Sequence, residues 1–467
     1  MSINRPNPSQ IKNYIRQLLE ECLSPENRGL YLCHPEKDFT RMRKISLADL
    51  VFHLFSRSSG SLTHNLQIDF GLGDGRPSKS ALVQQQAKLR ESFFRYLFDS
   101  VRARFHRNFL YKGKYRLLAC DGSDLGVGDR SDETLSEKAT GRTQSKDYHS
   151  IHLNALYDIL SETFVDCIIE KGKDYDETKA CWRMMEELEA TSIVICDRNY
   201  ESYNLFARLE KAGQFYVIRI KDVASGSIAS SWWKKLDGPE GEVLVDTKIT
   251  RVQAKAVKDS PEFHCLPPTA SFDFLPERSP FGHGRKKGIL PEDIPPEHYH
   301  RLSFRLVRFR INPPGSENEF EVVATNLPKD KFPAEELKKL YHLRWGEETA
   351  FRELKYDELL SKLHSVKVDS VIKEVYVALT LHNMTSFLLS FVSKRLSVGK
   401  DGRKTVYAAS HSDATSAVKL FLGRNNRCGP RKLMQELARN MEPVRDARSF
   451  PRQLIHRGFV AFTYRAA

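Results

Sequence analysis

Residues 192–221 read SIVICDRNYESYNLFARLEKAGQFYVIRIK. An apolar run, SIVIC, breaks at Asp197; a helical stretch, SYNLFARLEKAG, follows, and then a second apolar run, FYVIRIK. Short runs rich in Val and Ile are of strand type, and the stretch between them is long enough for a helix. Upstream, YRLLAC (115–120), SIHLNALYDIL (150–160) and TFVDCIIEKG (163–172) are three further apolar or alternating runs, and ETKACWRMMEELEA (177–190) reads as a helix. Three strands followed by alternating helix and strand predict a mixed sheet with helices on its faces, an α/β layered domain.

The alternation stops near Asp222. Residues 223–300 contain Trp232 and Trp233, strand candidates in EVLVDTKITRVQAKAV (242–257), and a Pro-, Gly- and Lys/Arg-containing loop from Pro276 to Pro296, which together read as a β-rich insertion. Strands RLSFRLVRFRI (301–311) and FEVVATNL (320–327) follow, and Pro333 then opens a long helix, an early position that suits proline. On the other side, residues 1–108 read as helices: SQIKNYIRQLLEECL, SLADLVFHLFSR, and a longer one from about Ser78 to Phe105, with a Gly- and Ser-containing loop before it. The expected organisation is a helical N-terminal DNA-binding region (1–108), a first sheet segment (109–222), the insertion (223–300), a second sheet segment (301–365) and a helical, basic C-terminal region (366–467).

The 467 residues suffice for several domains and a sizeable core, and 40% hydrophobic with 28% charged residues is the composition of a soluble globular chain. Lys and Arg number 73 against 60 Asp and Glu, a net charge of +13. That excess favours a polyanionic partner, most simply nucleic acid. Residues 102–116, RARFHRNFLYKGKYR, hold six Lys/Arg and no acid. The eight cysteines are scattered without a CxxC pair, and neither Cys33-His34 nor His264-Cys265 has zinc-ligand spacing. Cys120, Cys167 and Cys196 lie inside apolar runs, so the cysteines fit a reducing cytosol. No signal peptide opens the chain, and the apolar stretch Val371–Val392 is interrupted by Lys373, Glu374, His382 and Asn383. It reads as a buried helix, so no membrane partner is expected.

Chemistry concentrates at three places. Asp121 follows the run RLLAC, and Asp197 follows SIVIC. In open α/β sheets, functional groups collect just beyond strand ends. Strand-to-turn aspartates also serve as Asx-turn and cap residues, and Asp124 and Asp129 lie close to Asp121; what favours Asp121 is its place directly after the apolar run. The third place is Tyr341, Arg344, Glu348 and Lys355, which on one continuous helix fall within roughly 60° of each other. An exposed helix face with an Arg344–Glu348 pair, contributing a few tenths of a kcal/mol, is the competing reading. Two aspartates and a glutamate make an oxygen-only set that suits Mg²⁺, with Mn²⁺ as a substitute. Two such ions about 4 Å apart serve in-line phosphoryl transfer.

The order DGS (121–123), CDRNYESYNLFARLEKAGQFYVIRIKD (196–222) and YHLRWGEETAFRELK (341–355) closely resembles DDE-type transposases of bacterial insertion sequences, in the group marked by Y-x2-R-x3-E-x6-K. The resemblance is strong over about residues 110–360. It implies an RNase H-like catalytic domain interrupted by a β-rich insertion, with Asp121, Asp197 and Glu348 as the catalytic, metal-binding triad. Tyr341, Arg344 and Lys355 would contact transposon-end DNA near the cleaved phosphate. Trp232 or Trp233 could stack a flipped base, although packing inside the insertion is the plainer role for both. Many relatives have Gly or Ala where this chain has Asn199, a residue that tolerates a left-handed turn. The implied activity is cut-and-paste transposition by a Mg²⁺-dependent DNA strand-cleaving and strand-joining enzyme. Its partners would be transposon ends and target DNA, bound as a homodimer in the bacterial cytoplasm, at the nucleoid when on DNA. The alternatives are a catalytically inactive or domesticated DNA-binding relative, and a structure-selective nuclease on the same fold.

Overall fold

The computed structural model describes residues 8–41, 43–128, 136–137, 148–171, 175–189, 191–222, 227–232, 239–277, 280–281, 288–316, 319–358, 360, 363–392, 394–398, 404–424 and 428–443. The N-terminal elements are all helices: α1 (Pro8–Cys22), α2 (Arg28–Tyr31), α3 (Leu47–Ser56), α4 (Leu62–Phe70), α5 (Lys79–Ala87) and α6 (Glu91–Phe105). Ile11, Ile15, Leu18, Leu19 and Cys22 put one apolar stripe of α1 into the core. Ser46, Ser61 and Ser78 cap α3, α4 and α5 through their side-chain oxygens. Two expectations change here. The segment read as a loop contains α4. The helix expected from Ser78 to Phe105 is two, because the intervening backbone pairs elsewhere: Lys88 O accepts from Cys33 N at 2.8 Å, Arg90 N donates to Tyr31 O at 2.9 Å, and buried Leu89 bridges buried Leu32. A tertiary bridge outweighs local helix propensity.

The strands are β1 (Arg116–Val127), β2 (Ser136–Glu137), β3 (Tyr148–Asp158), β4 (Thr163–Lys171), β5 (Ser192–Cys196), β6 (Phe215–Ile220), β7 (Gly241–Thr250), β8 (Phe263–Cys265), β9 (Tyr299–Arg310) and β10 (Phe320–Thr325). Helices α7 (Glu177–Glu186), α8 (Tyr203–Lys211), α9 (Ile228–Trp232) and α10 (Lys255–Lys258) connect them. All ten strands form one sheet, in the order β2-β3-β1-β5-β6-β10-β9-β7-β8, with β4 also on β3. The β3 strand is antiparallel to β1 on one side and to β4 on the other, while β1, β5 and β6 run parallel. This mixed sheet, flanked by helices, is an RNase H-like fold. All of β5 is buried, as a central strand covered on both faces must be. Val194 and Cys196 pack with Met184, Leu205 and Phe206; Ile193 and Ile195 pack with Leu337 and Leu340 on the other face.

The strands expected in the insertion exist, but they extend the same sheet: β9 pairs β10 on one side and β7 on the other. Unpaired ladder groups on β9 are satisfied this way.

The chain continues with α11 (Ala334–His342), α12 (Trp345–Tyr356), α13 (Val368–Leu389), strands β11 (Arg395–Val398) and β12 (Lys404–Ala409), α14 (His411–Leu422), α15 (Pro430–Arg439) and β13 (Met441–Pro443). The last region is therefore helical with a small three-stranded sheet, β11-β12-β13, which the sequence reading did not include. The long helix expected after Pro333 is broken into α11 and α12 by a tight turn, in which Leu343 N and Arg344 N donate back three residues to Leu340 O and Tyr341 O. Apolar residues of α1, α3, α6, α12, α13 and α14 share one hydrophobic cluster, which also takes in Leu125, Leu153 and Phe164 from the sheet. Among the described residues, no helix is long and apolar enough to cross a membrane, and α13 is buried in this core.

Candidate active site

Parallel pairing of β1 with β5 places Ala119 opposite Ile195. Asp121, still within β1, and Asp197, just past the end of β5, each stand two residues further along. Asp121 is not at a strand end, as the sequence suggested. The β1 strand continues to Val127, paired with β3 through Asp121 opposite Ala155, whereas β5 stops at Cys196. The side of β1 that faced β5 is thus open from Asp121 onward. Asp197 combines both roles weighed for it: it follows the strand, and its Oδ1 accepts from Asn199 N at 2.8 Å to cap the turn Arg198–Tyr200. Asn199 has no positive φ, so its tolerance of a left-handed turn is not used.

Burial pushes the Asp121 carboxyl up to about 6; the Gly122 N–H resists, the Asp197 charge adds to the rise, Arg344 opposes it and Glu177 adds again. Those causes record which groups face Asp121. Behind the strand, Asp124 Oδ1 lies 2.7 Å from His152 Nδ1, and His152 Nε2 lies 3.2 Å from Glu177 Oε1. The His152 ring stacks on Tyr175 with centroids 3.7 Å apart. Burial lowers the imidazole, but hydrogen bonds and charge from Asp124 and Glu177 outweigh it and raise it to about 9. Asp124, the alternative ligand, thus has one oxygen engaged with a cation.

Arg344 is the residue before α12 and donates from Nη2 to Glu348 Oε1 at 2.7 Å. The pair is not the exposed one of the competing reading, since Arg344 is only 5% exposed. Tyr341, 4% exposed, packs with Ile193, Ile195 and Leu340, and burial raises its phenol. The expectation of one continuous helix carrying all four residues is therefore corrected: the turn at Leu343–Arg344 separates Tyr341 on α11 from Glu348 and Lys355 on α12, and Tyr341 and Arg344 are both buried. Lys355 is half-buried; burial lowers its ammonium while Asp124 and Asp121 hold it up, so it faces the same carboxylates.

Glu347 was missed. It is 0% exposed, neither oxygen has a hydrogen-bond partner among the described residues, and burial, then Asp121 and Cys120, push its carboxyl far above the usual range. The signal was its spacing: Glu347, Phe351 and Leu354 lie at i, i+4 and i+7, the core stripe of α12. The structure thus gathers Asp121, Asp197, Arg344, Glu347, Glu348 and Lys355. It does not bring Trp232 to them as a free platform. That ring is 6% exposed in the core, its Nε1 donates to Tyr203 Oη at 3.1 Å, and an indole so enclosed has no open face for a base. Trp233 lies outside the described residues. A separate group, Glu353, His382 and His411, offers ligand atoms within 4.8 Å of one another and could hold a metal ion.

An RNase H-like sheet with one aspartate in a strand and another just past the end of the parallel neighbour, beside a helix with a glutamate pair, defines a DDE-type catalytic fold. Residues 112–384 match the family described as "Transposase DDE domain", more than half of the chain, and the chain belongs to that family. Its activity at family level is DDE-transposase catalysis on DNA. No curated protein matches the chain. Among solved structures it is similar to the piggyBac transposase in a cryo-EM synaptic complex with hairpin DNA, with 11% identity, 83% of this chain and 70% of that chain covered, and a TM-score of 0.42.

Proposed function

We propose that the chain is a cut-and-paste transposase of the bacterial insertion-sequence type, which binds terminal inverted repeats, cleaves them and joins the 3′-ends to target DNA. The carrying observation is the register of β1 and β5, in which Ala119 lies opposite Ile195, so that Asp121 within β1 and Asp197 just past the end of β5 each follow two residues later. Four carboxyl groups (Asp121, Asp197, Glu347 and Glu348) meet two cations, Arg344 and Lys355, and the charge on Asp121 is disfavoured there. A hard divalent cation fits such an oxygen donor set, and Asp121, Asp197 and Glu348 would hold it. Mg²⁺, when bound, supplies activation of the attacking water or 3′-hydroxyl and stabilisation of the leaving oxygen.

The protein's own part is orientation. Arg344 holds Glu348 by its 2.7 Å hydrogen bond, so it acts as a positioning residue. Lys355, beside Asp121 and Asp124, would take a phosphate oxygen and offset their repulsion of DNA. The helical region 1–108 and the basic region 366–467 would supply further contacts to the transposon end. Holding two ends together calls for two protomers on DNA, working in the bacterial cytoplasm.

The test uses end-sequence duplexes with Asp121→Asn, Asp197→Asn and Glu348→Gln. Each should lose cleavage and strand transfer while retaining end binding, because negative charge facing DNA is only removed. Glu347→Gln, which keeps a neutral amide where the carboxyl is disfavoured as a charge, should still cut. Normal cutting by Glu348→Gln together with loss in Glu347→Gln would move the catalytic role to Glu347.

A further inference from the structure

The end of α12 and the residues just after it, the middle of α13 and the first residue of α14 bring four potential ligands together, away from the aspartates. His382 Nδ1 lies 4.0 Å from Glu353 Oε2 and 3.6 Å from Glu358 Oε1. His411 Nδ1 lies 3.6 Å and 3.9 Å from the same two oxygens. The imidazole rings are stacked, with centroids 4.5 Å apart. We propose that Glu353, His382 and His411, with Glu358 as the fourth donor, form a structural Zn²⁺ site.

Three observations support it. First, His382 is wholly buried in the centre of α13, yet neither ring nitrogen has a hydrogen-bond partner among the described residues; Glu358 Oε2 has none either. Buried polar atoms are paired in the great majority of cases, so this orphaned set lacks something. Second, the spacing suits the ion. Tetrahedral Zn²⁺ with bonds near 2.0–2.1 Å needs ligand atoms roughly 3.3–3.4 Å apart. The four His–carboxylate contacts, four of the six ligand pairs of such a site, measure 3.6–4.0 Å and reach that by closing a few tenths of an ångström. Glu353, His382 and His411 have all their ligand atoms within 4.8 Å of one another, and Glu358 approaches the set from the two histidines. Third, two carboxylates and two neutral imidazoles carry a charge that one divalent cation cancels.

Two nitrogens with carboxylate oxygens favour zinc over Mg²⁺, which prefers oxygen and retains its waters. Side-chain exposures of 0% for His382 and Glu358, 11% for His411 and 18% for Glu353 leave little room for substrate, as expected of a closed site. Thr415 Oγ1, donating to Glu358 Oε1 at 3.2 Å, and Ser386 Oγ, 3.5 Å from His411 Nε2, would orient the two ligands from outside. The ion would tie α12, five residues beyond Glu348, to α13 and α14. It would thereby fix the helix that carries the glutamate against the rest of the molecule.

The test is made on the full chain, stripped with EDTA, reloaded with ZnCl₂ or MgCl₂, desalted, and measured for bound metal and thermal midpoint. About one equivalent of zinc should be retained, with a raised midpoint and no comparable retention of Mg²⁺. Co²⁺ should give the visible absorption of a tetrahedral site. Glu353→Gln and His411→Asn, on the more accessible side, should lose the retained zinc while keeping the native circular dichroism, and Asp197→Asn should keep it. Retention no greater in the wild type than in Glu353→Gln and His411→Asn overturns the site and leaves a buried His382–Glu358 ion pair. Loss of the zinc in Asp197→Asn would also overturn it, by assigning the ion to the aspartates.

Discussion

Gly122 occupies a position with no room for a side chain. A Cβ there would stand 2.4 Å from His152 Nε2 and 2.5 Å from Glu177 Oε1. Glu177 can swing its carboxylate aside, but His152 is held by Asp124 and stacked on Tyr175. Gly122→Ala should therefore cost about 1–3 kcal/mol in urea unfolding, as overpacking does. Adding His152→Ala should return part of that loss, since the two positions share the space. The same histidine makes stability depend on pH. Its folded value of about 9 exceeds the ordinary 6.5, so its contribution is complete below 6.5 and is lost as pH rises through about 9. A wild-type stability that declines across that window, and a His152→Gln variant that declines less, is the expected pair of curves.

At the scale of elements, the turn between α11 and α12 matters more than either helix. It brings Arg344 down against the sheet, where it pairs Glu348 and faces Asp121. Arg344→Met should lower stability by about 1–3 kcal/mol, more than an exposed i,i+4 pair would, because Glu348 loses its partner in a partly buried place. End cleavage should fall further than end binding. Arg344→Lys should not restore cleavage, since an ammonium does not reproduce the guanidinium geometry. Equal losses of binding and cleavage would instead make Arg344 a DNA contact.

Across the whole molecule, the terminal helices and the sheet are joined by polar groups buried at their contact. Asn383, in the middle of α13, accepts from Phe164 N at 2.7 Å through Oδ1 and donates to Phe164 O at 2.8 Å through Nδ2. Arg57, just after α3, pairs with Glu374 of α13 at 3.3 Å, and Glu374 also accepts from His364 N and Ser365 Oγ. Asn383→Leu keeps the branched outline, adds some volume and strands both backbone groups of Phe164. It should destabilise the fold by about 2–4 kcal/mol, read as a lower midpoint at unchanged denaturant slope. A neutral result would mean that α13 docks by apolar packing alone.

Asp121, Asp197 and Glu348 could be picked out from the sequence because each stands at a sharp change of pattern: an acid directly after an apolar run, or an acid on a helix face. The mixed sheet was legible for the same reason, since strand and helix leave different periods in a single segment. What the sequence left open depends on which distant segments meet. The break at Leu89 needs Leu32, the extension of the sheet by β7 needs β9, and the turn at Leu343–Arg344 needs a sheet to pack against. Glu353, His382 and His411 have no telling spacing, and only the packing of α12, α13 and α14 puts their ligand atoms within reach of one ion. Local pattern is set by the side chains of one segment; pairing, burial and convergence are set by the closing of long loops, whose outcome no single segment records.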